Sequence, residues 1–117
     1  MFKTTIYHNT SCGTSRNTLS LIRDHGIEPE IIEYMKTLFT KERLQELLRS
    51  MRLSARDLLR TNEEAYRTLD LASERWSDDE LVDFMISDPS LINRPIVTTS
   101  VGTRLCRPPE TVLEILK

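Results

Sequence analysis

Phe2-Lys3-Thr4-Thr5-Ile6-Tyr7-His8, followed by Asn9-Thr10-Ser11-Cys12-Gly13, is the informative stretch of this chain. The first seven residues alternate and are rich in β-branched and aromatic types, so they read as a strand. Asn9 to Gly13 is turn chemistry. A helix should follow, with Leu19 and Ile22 three apart on one face, Gly26 as the residue past its end and Pro29 confirming the stop. Glu30-Ile31-Ile32-Glu33-Tyr34 reads as a second strand. A strand, a helix and a strand in this order predict a parallel pair with a right-handed crossover.

Outward from there the middle of the chain is helical. Leu44, Leu47, Leu48 and Met51 fall at i, i+3, i+4, i+7. Ser54-x-x-Asp57, Thr61-x-x-Glu64 and Ser77-x-x-Glu80 resemble capping boxes. After the last, Leu81, Phe84 and Met85 make an apolar stripe, and Pro89 ends that helix. Ile96-Val97-Thr98-Thr99 reads as a strand, Ser100-Val101-Gly102 as a hairpin turn, and Thr103 to Arg107 as the return strand. Pro108-Pro109-Glu110 opens a last helix, in which Val112 and Ile115, or Leu113 and Leu116, face the sheet. The order predicts an α/β protein with a thioredoxin-like, four-stranded mixed sheet flanked by helices. One domain over 1–117 is expected, with a helical insertion over about 35–76.

At 38% hydrophobic and 29% charged residues, the composition is that of an ordinary globular domain. The net charge of −2 supplies no bulk field for nucleic acid or an anionic membrane. No apolar run reaches transmembrane length, and the first residues read as strand rather than signal peptide, so the expected compartment is the cytoplasm. The two cysteines, Cys12 and Cys106, are too few for a disulfide framework, and no Cys/His spacing suits a metal.

Cys12 carries the chemistry. It stands between a strand's C-terminal end and a helix's N-terminus, where unpaired backbone N–H groups and the helix dipole favour an anion. A thiol there should be more acidic than a free one, and the thiolate is the reactive form. A protonated His8 would add charge pairing, and Arg16, one turn into the helix, could add more. Cys12-Gly13-Thr14-Ser15 has no second cysteine, so an outside thiol must resolve any mixed disulfide. Alternation on the last strand puts Cys106 on the face opposite Arg107, and Cys106 reads as a core thiol. His25 suits the end of the first helix, and Trp76 reads as a packing residue.

Ile6-Tyr7-His8-Asn9-x-x-Cys12-Gly13-Thr14-Ser15-Arg16-Asn17-Thr18 resembles the active-site segment of the glutaredoxin-linked arsenate reductases. So do Leu58-Leu59-Arg60, Leu91 to Val97, Gly102 to Pro108, and Leu113 to Leu116. The resemblance implies that Cys12 attacks arsenate, that His8 helps keep it ionised, and that Arg60, Arg94 and Arg107 bind the oxyanion. It implies Gly13, Thr14, Ser15 and Arg16 as supporting residues, and a cis bond before Pro95. It also implies arsenate, glutathione and glutaredoxin as partners, glutathione as a co-substrate, and no bound cofactor or metal. Thr10 departs from the family, which has proline there in close relatives, and some members carry a further segment beyond the residue matching Lys117.

Two other functions compete. Similar sequences include regulators that bind RNA polymerase and switch through a CxxC disulfide, which Cys12-Gly13-Thr14-Ser15 lacks. A glutathione-reactive relative without arsenate activity would keep the cysteine and the fold. The arginines favour an oxyanion, and thiols readily reduce arsenic(V) but not phosphorus(V).

Overall fold

The computed structural model describes residues 3–36 and 39–116. The expected strand residue Phe2 and the terminal Lys117 lie outside them. The chain divides into two compact units, Met1–Thr37 with Arg94–Lys117, and Leu38–Asn93.

The first unit is built on a four-stranded mixed sheet. Strand β1 (Thr5–His8) leads into helix α1 (Gly13–Asp24) and strand β2 (Glu30–Glu33). Strands β3 (Ile96–Thr98) and β4 (Thr103–Leu105) complete it, in the order β2-β1-β3-β4. β1 pairs with β2 in parallel, and β1–β3 and β3–β4 are antiparallel. This is the expected thioredoxin-like sheet.

Helix α1 stops where the sequence says it should. Gly26 takes φ +78°, its N–H donates to the Arg23 carbonyl, and the Ile27 N–H reaches back to Ile22. That is a Schellman ending, and it needs a residue tolerant of positive φ. The inward face of α1 is Ser15, Thr18, Leu19 and Ile22. Leu19 and Ile22 pack with Ile6, Val97, Cys106, Val112, Ile115 and Leu116 into one core.

The last helix differs from expectation. Pro109–Glu114 forms 3-10 rather than α-helix. Val112 and Ile115 are fully buried and Leu113 is exposed, so the buried spacing is three, the period of a 3-10 turn. Leu116, which was paired with Leu113 in the alternative facing, is buried as well.

The second unit is helical: α2 (Lys41–Met51), α3 (Ala55–Leu58), α4 (Glu64–Thr68), α5 (Asp78–Ser87) and a 3-10 turn at Pro89–Leu91. α5 packs on α2, α3 and the 3-10 turn. Leu44, Leu47 and Leu48 are buried as the periodicity requires. The capping boxes at Ser54 and Ser77 form, each with its reciprocal bond. Asp78 also accepts from the Ala55 N–H, at 2.9 and 3.1 Å, which joins the starts of α3 and α5. The box expected at Thr61 does not form. α4 starts at Glu64 with Glu63 as its uncapped flank, and Glu63 is held by the Arg60 Nε at 2.9 Å. Trp76 does pack: its ring meets Phe84 edge-on at 4.9 Å and its Nε1 donates to the Asp70 carbonyl.

Candidate active site

The loop between β1 and α1 is folded by its own side chains. Asn9 accepts the Ser11 N–H on Oδ1 at 2.9 Å and the Cys12 N–H on its carbonyl at 3.0 Å. This Asx-type turn is a short-range property of asparagine, and the sequence reading passed over it. It leaves Cys12 extended as the N-cap of α1, its carbonyl accepting from Arg16 at 3.0 Å.

The environment of the Cys12 sulfur acts in both directions. Partial burial disfavours the thiolate. Against it work the Ser15 N–H, the Arg94 and Arg107 side chains and the Thr14 N–H, and together they hold the thiol below its ordinary value. The sulfur makes no tight capping bond. The amides act by aiming positive dipole ends at it.

Arg107 donates from Nη1 to the Cys12 sulfur at 3.8 Å and to the Arg94 carbonyl at 2.9 Å. The Cys106 N–H donates to the Pro95 carbonyl at 2.9 Å, which ties the two arginine-bearing segments together. The Arg94–Pro95 bond is cis, as the resemblance implied. The Arg107–Pro108 bond is cis too, and no sequence signal announced it.

His8 is in a different arrangement from the expected one. It is 4% exposed, and its Nδ1 lies 2.6 Å from the Ser15 Oγ, which also accepts from the Asn9 N–H at 3.1 Å. Burial, more than the opposing charge of Glu33, holds the imidazole below its ordinary value; Arg16 and Arg23 add to the lowering. At neutral pH the ring is therefore mainly uncharged, and the expected charge pairing with Cys12 does not arise. His8 meets the loop through Ser15, whose amide faces the sulfur. Arg16 turns back on the loop and donates to the Thr10 carbonyl at 2.8 Å. It is not among the groups that lower the Cys12 thiol.

Arg60 belongs to the second unit. Its N–H donates to the Leu91 carbonyl at 2.8 Å, and its Nε pairs with Glu63. Cys106 is fully buried, and burial pushes its thiol up to about 12, so it stays protonated. Among the described residues no group of three or more His, Cys, Asp and Glu could share a metal ion, and no helix is long and apolar enough to cross a membrane.

The chain as a whole is similar to known proteins. A family model described as the ArsC family matches residues 7–115. The chain is 57% identical over 116 residues to a protein of Escherichia coli strain K12 named arsenate reductase, spanning 99% of this chain and 82% of that one. It is 53% identical, over the same spans, to an arsenate reductase of Acidiphilium multivorum. A solved arsenate reductase from Vibrio cholerae matches with a TM-score of 0.94 at 42% identity, covering 98% of each chain. A cysteine at a helix start, its thiol lowered by the side chains of Arg94 and Arg107, thus sits in a chain that belongs to the ArsC family.

Proposed function

We propose that this chain is an arsenate reductase that takes its electrons from glutathione and glutaredoxin. The observation that carries the reading is Cys12: a thiol kept acidic by the Ser15 amide and by Arg94 and Arg107, one fork lying 3.8 Å from the sulfur. An anionic nucleophile meeting an anionic oxyanion needs cations beside both, and these two arginines supply them.

The Cys12 thiolate attacks arsenic(V), forming an S–As bond, and hydroxide leaves as water after taking a proton. Arg94 and Arg107 hold the oxyanion and balance its charge. For Arg60 the assignment to the anion rests on the resemblance of its motif alone. Glutathione then forms a second S–As bond as another water leaves. A glutaredoxin thiolate attacks the glutathionyl sulfur, that S–As bond breaks, and its electron pair stays on arsenic, which becomes arsenic(III). Water releases arsenite and returns the Cys12 thiolate. Two thiols supply two electrons, and neither need be Cys106, whose thiol is buried and protonated. His8 and Ser15 position the loop, with Gly13, Thr14 and Pro95 shaping its surroundings.

We also take 1–117 as one functional domain, with the segment of about 35–76 as an insertion, acting in the reducing cytoplasm. The test is arsenate-dependent NADPH oxidation coupled through glutathione, glutathione reductase and glutaredoxin. The expected result is turnover that vanishes without glutaredoxin and in Cys12→Ser. A folded protein with no arsenate turnover would sink the reading.

A further inference from the structure

A groove of about 340 Å³ runs along α1 on the first unit, lined by His8, Thr10, Arg16, Leu19, Ser20 and Arg23. That volume is within the usual range of small-molecule sites. Residues 16, 19, 20 and 23 share one helix face, and seven residues of helix advance about 10 Å. The helical wall of the groove therefore runs from Arg16 to Arg23, with Leu19 and the exposed Ser20 between them.

The ends are not equivalent. Arg23 is shared with Glu28 through a two-pronged pair at 3.0 and 2.9 Å. Arg16 has no carboxylate partner among the described residues. It donates from Nη1 to the Thr10 carbonyl, and its Nη2 comes within 3.7 Å of where a side chain on Gly13 would begin. Its fork is thus folded over the loop that carries Cys12. Both arginines oppose a positive charge on His8 in the groove wall, which places their fields in the same space. The other nearby carboxylate, Glu33, pairs with Lys36 at 3.4 Å.

Cys12 has no usable thiol partner within the described residues, since Cys106 is buried and protonated. The reducing thiol comes from outside and has to be held beside the loop. We propose that the α1 groove is the binding site of that thiol: an anionic tripeptide of the glutathione class, with one carboxylate on the Arg16 fork, its backbone along Leu19 and Ser20 toward Arg23, and the thiol of its middle residue turned toward the Cys12 loop. An extended tripeptide is about 10 Å long, which matches the helical rise from residue 16 to residue 23. This deepens the functional reading above and rests on it.

The test is steady-state arsenate turnover by the full chain, with arsenate, glutathione and glutaredoxin each varied in turn. Arg16→Ala is expected to raise the KM for glutathione about 5–20-fold, as loss of a charge-assisted contact at a partly exposed site does. Arg16→Lys should recover part of it. Ser20→Glu, an exposed change on the same helix face, should raise the same KM by putting a carboxylate in the groove. With the diethyl ester of glutathione, the gap between the unsubstituted chain and Arg16→Ala should shrink below about twofold. The inference fails if the glutathione KM does not move in either variant, if the change falls on arsenate or glutaredoxin instead, or if it persists with the ester. No glutathione-dependent turnover in the unsubstituted chain would overturn the functional reading and the inference together.

Discussion

Arg107 reaches across 95 positions of sequence to bring its Nη1 within 3.8 Å of the Cys12 sulfur, while the same nitrogen holds the Arg94 carbonyl at 2.9 Å. One guanidinium therefore both steadies the segment carrying the second arginine and biases the ionisation of the nucleophile. Three consequences for the thiol and its loop, and one for the helical unit, can be measured.

Removing Arg107 should make Cys12 less acidic. Its side chain is one of the groups that lower the thiol against the opposing effect of burial. In Arg107→Ala the pH profile of iodoacetamide alkylation should move upward, and the rate at neutral pH should fall. Arg107→Lys should keep part of the shift, because it keeps the charge and loses the fork. A profile identical to that of the unsubstituted chain would remove Arg107 from the account.

His8 should make stability fall in mild acid. Its folded pKa lies below the ordinary histidine value, so between the two values the unfolded chain binds more protons. The stabilising contribution of the neutral ring is present above the unfolded value of about 6.5 and is lost as pH falls from there toward the folded value. Urea unfolding midpoints should drop between pH 7.5 and pH 5.5, and the drop should be smaller in His8→Asn. Equal drops in the two proteins would assign the effect to other groups.

Ser15→Ala should cost about 1–3 kcal/mol of stability, since it strips the buried His8 ring and the Asn9 N–H of their shared partner. Turnover should fall as well, through a looser loop rather than a lost chemical group. The check is denaturant unfolding beside alkylation kinetics; unchanged stability would show that the hydroxyl is dispensable.

Arg52→Gly should stabilise the helical unit by roughly 0.5–1 kcal/mol. Arg52 closes α2 at φ 58°, a left-handed conformation that costs an ordinary residue energy and glycine none. Glycine's greater freedom in the unfolded chain trims the gain. A lowered urea midpoint would mean that the arginine side chain does something there that outweighs its backbone.

Much of this was legible in the sequence because it is local. The Ser54 and Ser77 boxes, the glycine ending of α1 and the position of Cys12 at a helix start each depend on a handful of neighbouring residues. Cys106 is buried and Arg107 turns to Cys12 as the alternation expected, but the return strand stops at Leu105 and a bend, not strand geometry, places the pair. What was not legible depends on distant partners. Nothing in the spacing of Arg94 and Arg107 says that one nitrogen links them to Cys12. Nothing near His8 says that burial will leave its ring uncharged and Ser15 will take it. The Thr61 motif failed: the helix starts only at Glu64, and the residue before it, Glu63, is held by Arg60. The last turn became 3-10 where the proline signal had suggested an ordinary helix.

The antiparallel pairing of Ile96 with Leu105 and Thr98 with Thr103 has an evolutionary side. β4 ends at Leu105, and just past it the chain bends, the Arg107 N–H reaching back to the Leu105 carbonyl at 3.1 Å, so this turn sets which residue of Cys106-Arg107 looks toward Cys12. As it stands, the cation is presented and the thiol is hidden. A change that turned this bend over would exchange them, and a cysteine that depends on a borrowed thiol would face one from its own chain.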